Sequence, residues 1–213
     1  MLPPHRHGYS LEDPLILSEL PEQSEWSGKI AYLDRDGVLN RWKEDYVNSP
    51  EDLELLVDSG KAIAYLRRMG FRICVVTNQS PIGRGLWGHE NLAQIHDKLQ
   101  ELLFEEDSEA NIDLILYSPY LPSDGSWSRK PNPGMLEAVR QLVDNASRFP
   151  GEENVISFGE HWIDRPSESD SVLVGDRQSD IIAAERFGVR GILCDPESGL
   201  AAVISEIDSN TEK

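Results

Sequence analysis

Two periods share this chain. Five short apolar runs, 29–33 (KIAYL), 71–76 (FRICVV), 112–117 (IDLILY), 171–175 (SVLVG) and 190–194 (RGILC), carry enough β-branched and aliphatic residues for buried strands. Between them the apolar positions recur at helical spacing. The segment 59–69 (SGKAIAYLRRM) closes at Gly70, a suitable helix cap. In 89–104, Leu92, Ile95, Leu99 and Leu103 fall along one face. A helix over 133–143 opens with proline, which suits a first turn, and one over 179–187 stops at Gly188. Strand and helix alternate throughout. This order predicts an α/β fold: a doubly wound, Rossmann-like parallel sheet with helices on both faces. Residues 1–28 show no sustained period and read as an N-terminal extension lying on the surface. Residues 29–200 read as the folded domain, and 201–213 as a helix end and tail. The polar stretch 145–170 reads as an excursion before the fourth strand.

Polar residues collect where the strands end. The first run ends in Asp34-Arg35-Asp36-Gly37, the second in Thr77-Asn78-Gln79, and the fourth in Gly175-Asp176, with Asp180 four residues on. The third is followed, after a loop, by Arg129-Lys130-Pro131. In an open α/β sheet the strand carboxyl ends form one ligand-binding edge, so four distant pieces of chain meet there. Two carboxylates about 4 Å apart repel by roughly 4 kcal/mol at an effective dielectric of 20. A hard divalent cation removes that cost, and magnesium beside a phosphate is the usual arrangement. Lys130 and the Thr77 hydroxyl supply a cation and a donor for phosphate oxygens. Asp34 and Asp36, two residues apart in an extended segment, are expected to face the same side. One then attacks phosphorus while the other protonates the leaving oxygen.

Composition narrows the partners. With 213 residues there is enough chain for one well-buried core. The formal net charge of −18 opposes binding to nucleic acid or to an anionic membrane, so an anionic substrate needs a local positive site or a metal. No apolar run is long enough to cross a bilayer. Cys74 and Cys194 sit far apart in apolar runs, which argues against a disulfide and for a reducing cytoplasm. A monomer is expected.

The strand-end clusters resemble four ordered motifs of the haloacid dehalogenase superfamily: DRDGVLN at 34–40, VVTNQS at 75–80 with IGRG at 82–85, RKPNPGM at 129–135 and VGDRQSD at 174–180. They look most like its histidinol-phosphate and heptose-bisphosphate phosphatase branch, which lacks a large cap domain. The resemblance implies that Asp34 is the nucleophile, forming an aspartyl-phosphate, and that Asp36 is the general acid and then the base. It implies magnesium held by Asp34, the Asp36 backbone carbonyl and Asp176, with Asp180 supporting the site from behind. Thr77, Asn78 and Lys130 would bind the transferring phosphate, and Arg129 the rest of a small phosphorylated sugar. Many members carry a Cys/His zinc loop before the Arg-Lys-Pro motif. Here 118–128 (SPYLPSDGSWS) has neither residue, so no structural zinc is expected, and the loop would be held by its prolines and Trp127.

The first substrate candidate is a heptose 1,7-bisphosphate. Histidinol phosphate is the runner-up. A phosphorylated DNA end is a third, since TNQSPIGRG also resembles polynucleotide 3'-phosphatases, although the charge opposes it. A catalytically silent phosphate-binding protein is the alternative outside enzymes. Arg84 and Arg177 are weaker site candidates. Tyr46 and Trp127 either flank the substrate or pack their loops. His5 and His7 read as part of a flexible tail, and His89 and His96 as surface or capping groups.

Overall fold

The computed structural model describes residues 1–21 and 25–209. Six strands form one sheet: β1 (His5–Arg6), β2 (Ile30–Leu33), β3 (Arg72–Asn78), β4 (Leu114–Ser118), β5 (Val172–Gly175) and β6 (Arg190–Leu193). Their order is β1-β4-β3-β2-β5-β6. All neighbours pair in parallel except β1, which runs antiparallel to β4, with His5 opposite Tyr117 and Arg6 opposite Leu116. The parallel doubly wound sheet is the one the sequence predicts; the antiparallel edge strand is not. Two residues carry no readable period, so the pairing that fixes them comes from β4 and not from their own pattern.

Successive side chains of each strand go to opposite faces. Ala31, Leu33, Ile73, Val75, Val172 and Val174 join α1 (Ser59–Arg68), α3 (His89–Glu106) and the C-terminal helix α6 (Ile204–Asp208). Ile30, Tyr32, Cys74, Val76, Leu116 and Leu173 join α4 (Gly134–Arg148) and α5 (Gln178–Phe187), with Leu11 and Leu15 of the N-terminal segment. The short helix α2 (Ser80–Gly83) follows β3 directly. Leu92, Ile95, Leu99 and Leu103 are all fully buried along one stripe of α3. Each such burial contributes about 1.5–3 kcal/mol, and Leu99→Ala would cost about 2–5 kcal/mol.

Two buried charge networks brace the amino edge of the sheet. Asp113, just before β4, sits 3.2 Å from Arg67 and 3.1 Å from Arg72, and accepts the Ser18 hydroxyl and the Ile73 N–H. Before β5, Glu168 accepts Arg140 Nε and Nη2 at 2.5 and 2.6 Å and the Tyr32 hydroxyl at 3.0 Å.

The first residues are ordered against the domain, where the sequence suggested a tail. His5 stacks on His89, with ring centroids 4.7 Å apart, and His7 meets His96 edge-on at 5.4 Å. Tyr117 of β4 lies among them, its hydroxyl 2.8 Å from His89 Nδ1. His96 is fully buried and is no surface group; neither ring nitrogen has a hydrogen-bond partner among the described residues. Burial, then Arg35 and His7, push its pKa well below the ordinary histidine value. The expected tail 201–213 is helical through Asp208, and 210–213 lie outside the described residues.

Candidate active site

β2 and β5 are neighbours, and each ends in an acid. The Asp34 N–H bonds the Val174 carbonyl at 2.9 Å, which sets the two strand ends side by side. Gly37 turns the chain away with φ +78°, and a Cβ there would lie 2.7 Å from Asp176 Oδ2. A Cβ on Gly175 would collide with Asp180. The first turn of α5 brings Asp180 back, its Oδ2 accepting the Arg177 N–H at 3.1 Å. One carboxylate oxygen each from Asp34, Asp176 and Asp180 lies within 4.8 Å of the others.

A single lysine serves this trio. Lys130 Nζ is 3.0 Å from Asp34 Oδ2 and 2.5 Å from Asp180 Oδ1, and the residue is 2% exposed. Burial alone would lower its pKa, but Asp180 and Asp34 outweigh burial and raise it. Burial raises the Asp34 carboxyl to about 6; Lys130 opposes the rise, and Asp180, Asp176 and Asp36 add to it. Asp176 is also raised, by burial first, with Arg177 opposing. The Asp176 Oδ1 atom is buried with no hydrogen-bond partner among the described residues. Three acids facing one lysine leave two negative charges in excess, with only the exposed Arg177 nearby, 3.7 Å from Asp176 Oδ2. An orphaned carboxylate oxygen in an all-oxygen cluster fits a hard divalent cation. Asp180 thus lies against Lys130, beside the Asp34 and Asp176 carboxylates.

Asp36 stands apart from that trio. Its carboxylate accepts Arg35 Nη2 at 2.9 Å, Asn40 Nδ2 at 2.9 Å and Gln79 Nε2 at 3.1 Å. Burial would raise its pKa, but Arg35 and the two amides hold it below the ordinary carboxylate value. Gln79 Nε2 also donates to Thr77 Oγ1 at 2.9 Å, so one amide ties Asp36 to Thr77. Spacing alone assigns Gln79 no role beyond its place in a polar strand end. Asn78 does something more specific than expected. Its Nδ2 donates to the Lys130 carbonyl at 3.0 Å and its Oδ1 accepts the Lys130 N–H at 3.1 Å, so its side chain clamps the Lys130 backbone.

Asp34, Asp36, Thr77, Asn78, Gln79 and Lys130 line a cleft of about 430 Å³. Arg84, Arg129 and Arg177 line it too, with Trp42 and Tyr46. Arg129 donates from Nη1 to the Tyr120 carbonyl at 3.0 Å; burial, then Arg84 and Arg177, lower its pKa. Three guanidinium groups at one mouth repel each other unless an anion sits between them. Tyr46 holds a left-handed φ of +68°, a strained conformation for a residue with a side chain. Trp127 turns away: its Nε1 donates to Glu137 at 2.7 Å, so it packs its loop and does not line the cleft.

Residues 29–160 match the family model described as polynucleotide kinase 3 phosphatase, and residues 127–204 one described as HAD-hydrolase-like. The D-glycero-beta-D-manno-heptose-1,7-bisphosphate 7-phosphatase of Pseudomonas aeruginosa is 31% identical over 185 residues, 87% of this chain and 91% of that relative. The chain belongs to the haloacid dehalogenase-like phosphatases, in the heptose bisphosphate branch. A second relative of the phosphatase, from Chlorobaculum tepidum and named D-glycero-D-manno-heptose-1,7-bisphosphate 7-phosphatase, is 34% identical over 78% of both chains. Among solved structures, the phosphatase is similar to D,D-heptose 1,7-bisphosphate phosphatase from B. bronchiseptica, complexed with magnesium and phosphate. That likeness has a TM-score of 0.65 and 30% identity, covering 85% of this chain and 98% of that one. A HAD-like phosphatase from Mesorhizobium loti superposes with a TM-score of 0.61 at 26% identity, over 97% of this phosphatase and 92% of that chain.

Proposed function

We propose that this phosphatase removes one phosphate from a small bisphosphorylated sugar, with D-glycero-D-manno-heptose 1,7-bisphosphate as the first candidate. The observation that carries the reading is the charge pattern: Asp34, Asp176 and Asp180 gather around Lys130, and the cleft that Asp34 and Lys130 line also carries Arg84, Arg129 and Arg177.

Magnesium would be held by Asp34, Asp176 and the Asp36 carbonyl, where it supplies charge to offset the carboxylates and the phosphoryl oxygens. The chain's own groups account for the rest. Asp34 attacks phosphorus in line; the P–O bond to the sugar breaks, and Asp36 gives its proton to the leaving oxygen. Water then attacks the aspartyl-phosphate, Asp36 takes the water's proton, and inorganic phosphate leaves with Asp34 restored. Lys130 and the Thr77 hydroxyl hold the phosphoryl oxygens throughout, and charge stabilisation is the main burden in such transfers. Asn78 acts mainly by fixing Lys130. In its present position Asp36 is held as a carboxylate by Arg35, Asn40 and Gln79, which suits the second step. Protonating the leaving oxygen requires it to slip that clamp and take up a proton from solvent as substrate enters.

Arg84, Arg129 and Arg177 would receive the second phosphate. The same three cations disfavour histidinol phosphate, whose non-reacting end is itself cationic. The polynucleotide kinase 3 phosphatase match favours a phosphorylated DNA 3' end as a second reading, and the net charge of −18 opposes it. Phosphate release from the heptose bisphosphate, histidinol phosphate and a 3'-phosphorylated oligonucleotide, each with magnesium, separates these readings. The largest kcat/KM is expected on the bisphosphate. A preference for the oligonucleotide or histidinol phosphate would overturn the substrate, and no turnover of any ester would overturn the mechanism.

A further inference from the structure

Residues 2–6 lie across the loop that leads into Arg129, and two residues of that loop each hold both the N-terminal segment and Arg129. The Tyr120 hydroxyl donates to the Pro3 carbonyl at 3.0 Å, while the Tyr120 carbonyl accepts Arg129 Nη1 at 3.0 Å. The Ser126 hydroxyl donates to the Leu2 carbonyl at 3.1 Å, while the Ser126 carbonyl accepts the Arg129 N–H at 3.3 Å. One link thus reaches the guanidinium and the other the backbone. The segment itself is fixed: β1 pairs with β4, His5 stacks on His89, and Arg6 Nη1 donates to the Asp13 carbonyl at 2.7 Å. Elsewhere the loop is held by Trp127 Nε1 on Glu137, and Gly125 at its tip takes a left-handed φ of +60°.

We propose that this N-terminal strap, acting through Tyr120 and Ser126, positions Arg129 for the non-reacting phosphate of the substrate. Tyr120 and Ser126 are positioning residues and touch no reacting atom. An anchored guanidinium loses less freedom when it grips an anion than a free one does, so the strap strengthens binding without altering the chemical step. This rests on the reading of Arg129 given above.

The test uses two substrates: D-glycero-D-manno-heptose 1,7-bisphosphate and p-nitrophenyl phosphate, which has no second anionic group. Arg129→Ala is expected to raise KM for the bisphosphate several-fold more than KM for p-nitrophenyl phosphate. Tyr120→Phe keeps the ring and removes the hydroxyl. It is expected to raise KM for the bisphosphate by about 3- to 10-fold, the worth of one hydrogen bond, with kcat held within about twofold. Ser126→Ala should do the same, so a folding defect in one variant does not decide the matter. In the Arg129→Ala background neither substitution should add anything. If Arg129→Ala fails to distinguish the two substrates, the reading of Arg129 and the strap proposal both fall. If it does distinguish them, but Tyr120→Phe and Ser126→Ala shift both substrates alike, leave KM unmoved, or act additively with Arg129→Ala, the strap proposal alone is overturned.

Discussion

At the amino edge of the sheet Asp113 meets Arg67 and Arg72, and Glu168 meets Arg140; at the carboxyl edge Asp34, Asp176 and Asp180 share Lys130. Both regions bury ionisable groups at ion-pair distance. In the first, every acid has at least one arginine and further donors from Ser18, Ile73 or Tyr32. In the second, Asp176 keeps a buried oxygen without a partner. Burying an unmatched charge costs several kcal/mol, so a fold tolerates it only where something else completes the balance. Carboxylates met by arginines brace the strands, and the carboxylate oxygen left without a donor marks the candidate site. The comparison also explains why counting buried acids alone would not have found the site.

Substitutions at the two edges should therefore have opposite consequences. Asp34→Asn removes the nucleophile and should lower kcat by about 10⁴-fold or more, while the melting temperature in chelator stays level or rises, because like-charge repulsion is relieved. Retained turnover in that variant would sink the nucleophile assignment. Asp113→Asn leaves two arginines buried without a carboxylate and should cost about 3–5 kcal/mol of stability in denaturant titrations, with kcat per folded molecule near wild type. A neutral result there would erase the contrast between the edges. Magnesium should stabilise the wild type by about 2.7 kcal/mol at one hundred times its dissociation constant. The upward shift in melting temperature should vanish in Asp176→Asn; its survival would move the cation elsewhere.

The smallest effect concerns His96, a buried group that neither edge neutralises. Its folded pKa lies well below the ordinary 6.5. Below about 6.5 the unfolded chain takes up a proton that the folded chain refuses. Stability should thus fall with acidification, by at most about 1.4 kcal/mol per pH unit, until the folded group itself protonates. His96→Leu should flatten that slope in urea melts at pH 5 to 7. An unchanged slope would assign the acid sensitivity to other groups.

Much of this was legible before any coordinates. Apolar runs bounded by glycine and polar residues mark the five parallel strands, because a strand buried on both faces cannot carry polar side chains along its length, although the edge strand β6 leaves Gly191 and Leu193 exposed. The rule that ligands gather at strand carboxyl ends then brings Asp34, Thr77, Lys130 and Asp176 together. What spacing does not reveal is which distant group each side chain will meet. Asn78, expected at the phosphate, also holds the Lys130 peptide, 52 residues away, through both ends of its amide. Asp34 and Asp36 both line the cleft, as two alternate residues of an extended segment should, but Arg35 draws the second carboxylate into its own hydrogen-bond set. The segment 118–128 was expected to rest on its prolines and Trp127. Trp127 does brace it through Glu137, and its hydroxyls also reach to Leu2 and Pro3, partners that a two-residue strand gave no reason to expect.

Two positions in the cleft work by having no side chain at all. A methyl group on residue 37 would meet the Asp176 carboxylate, and one on residue 175 would meet Asp180. The distance between acids drawn from opposite ends of the chain is thus set by vacancy. Alanine at either place would drive the oxygens apart while leaving every catalytic group in the sequence. A relative could therefore keep all four aspartates and still lose its ion, and a search that scores only acids would pass it as active.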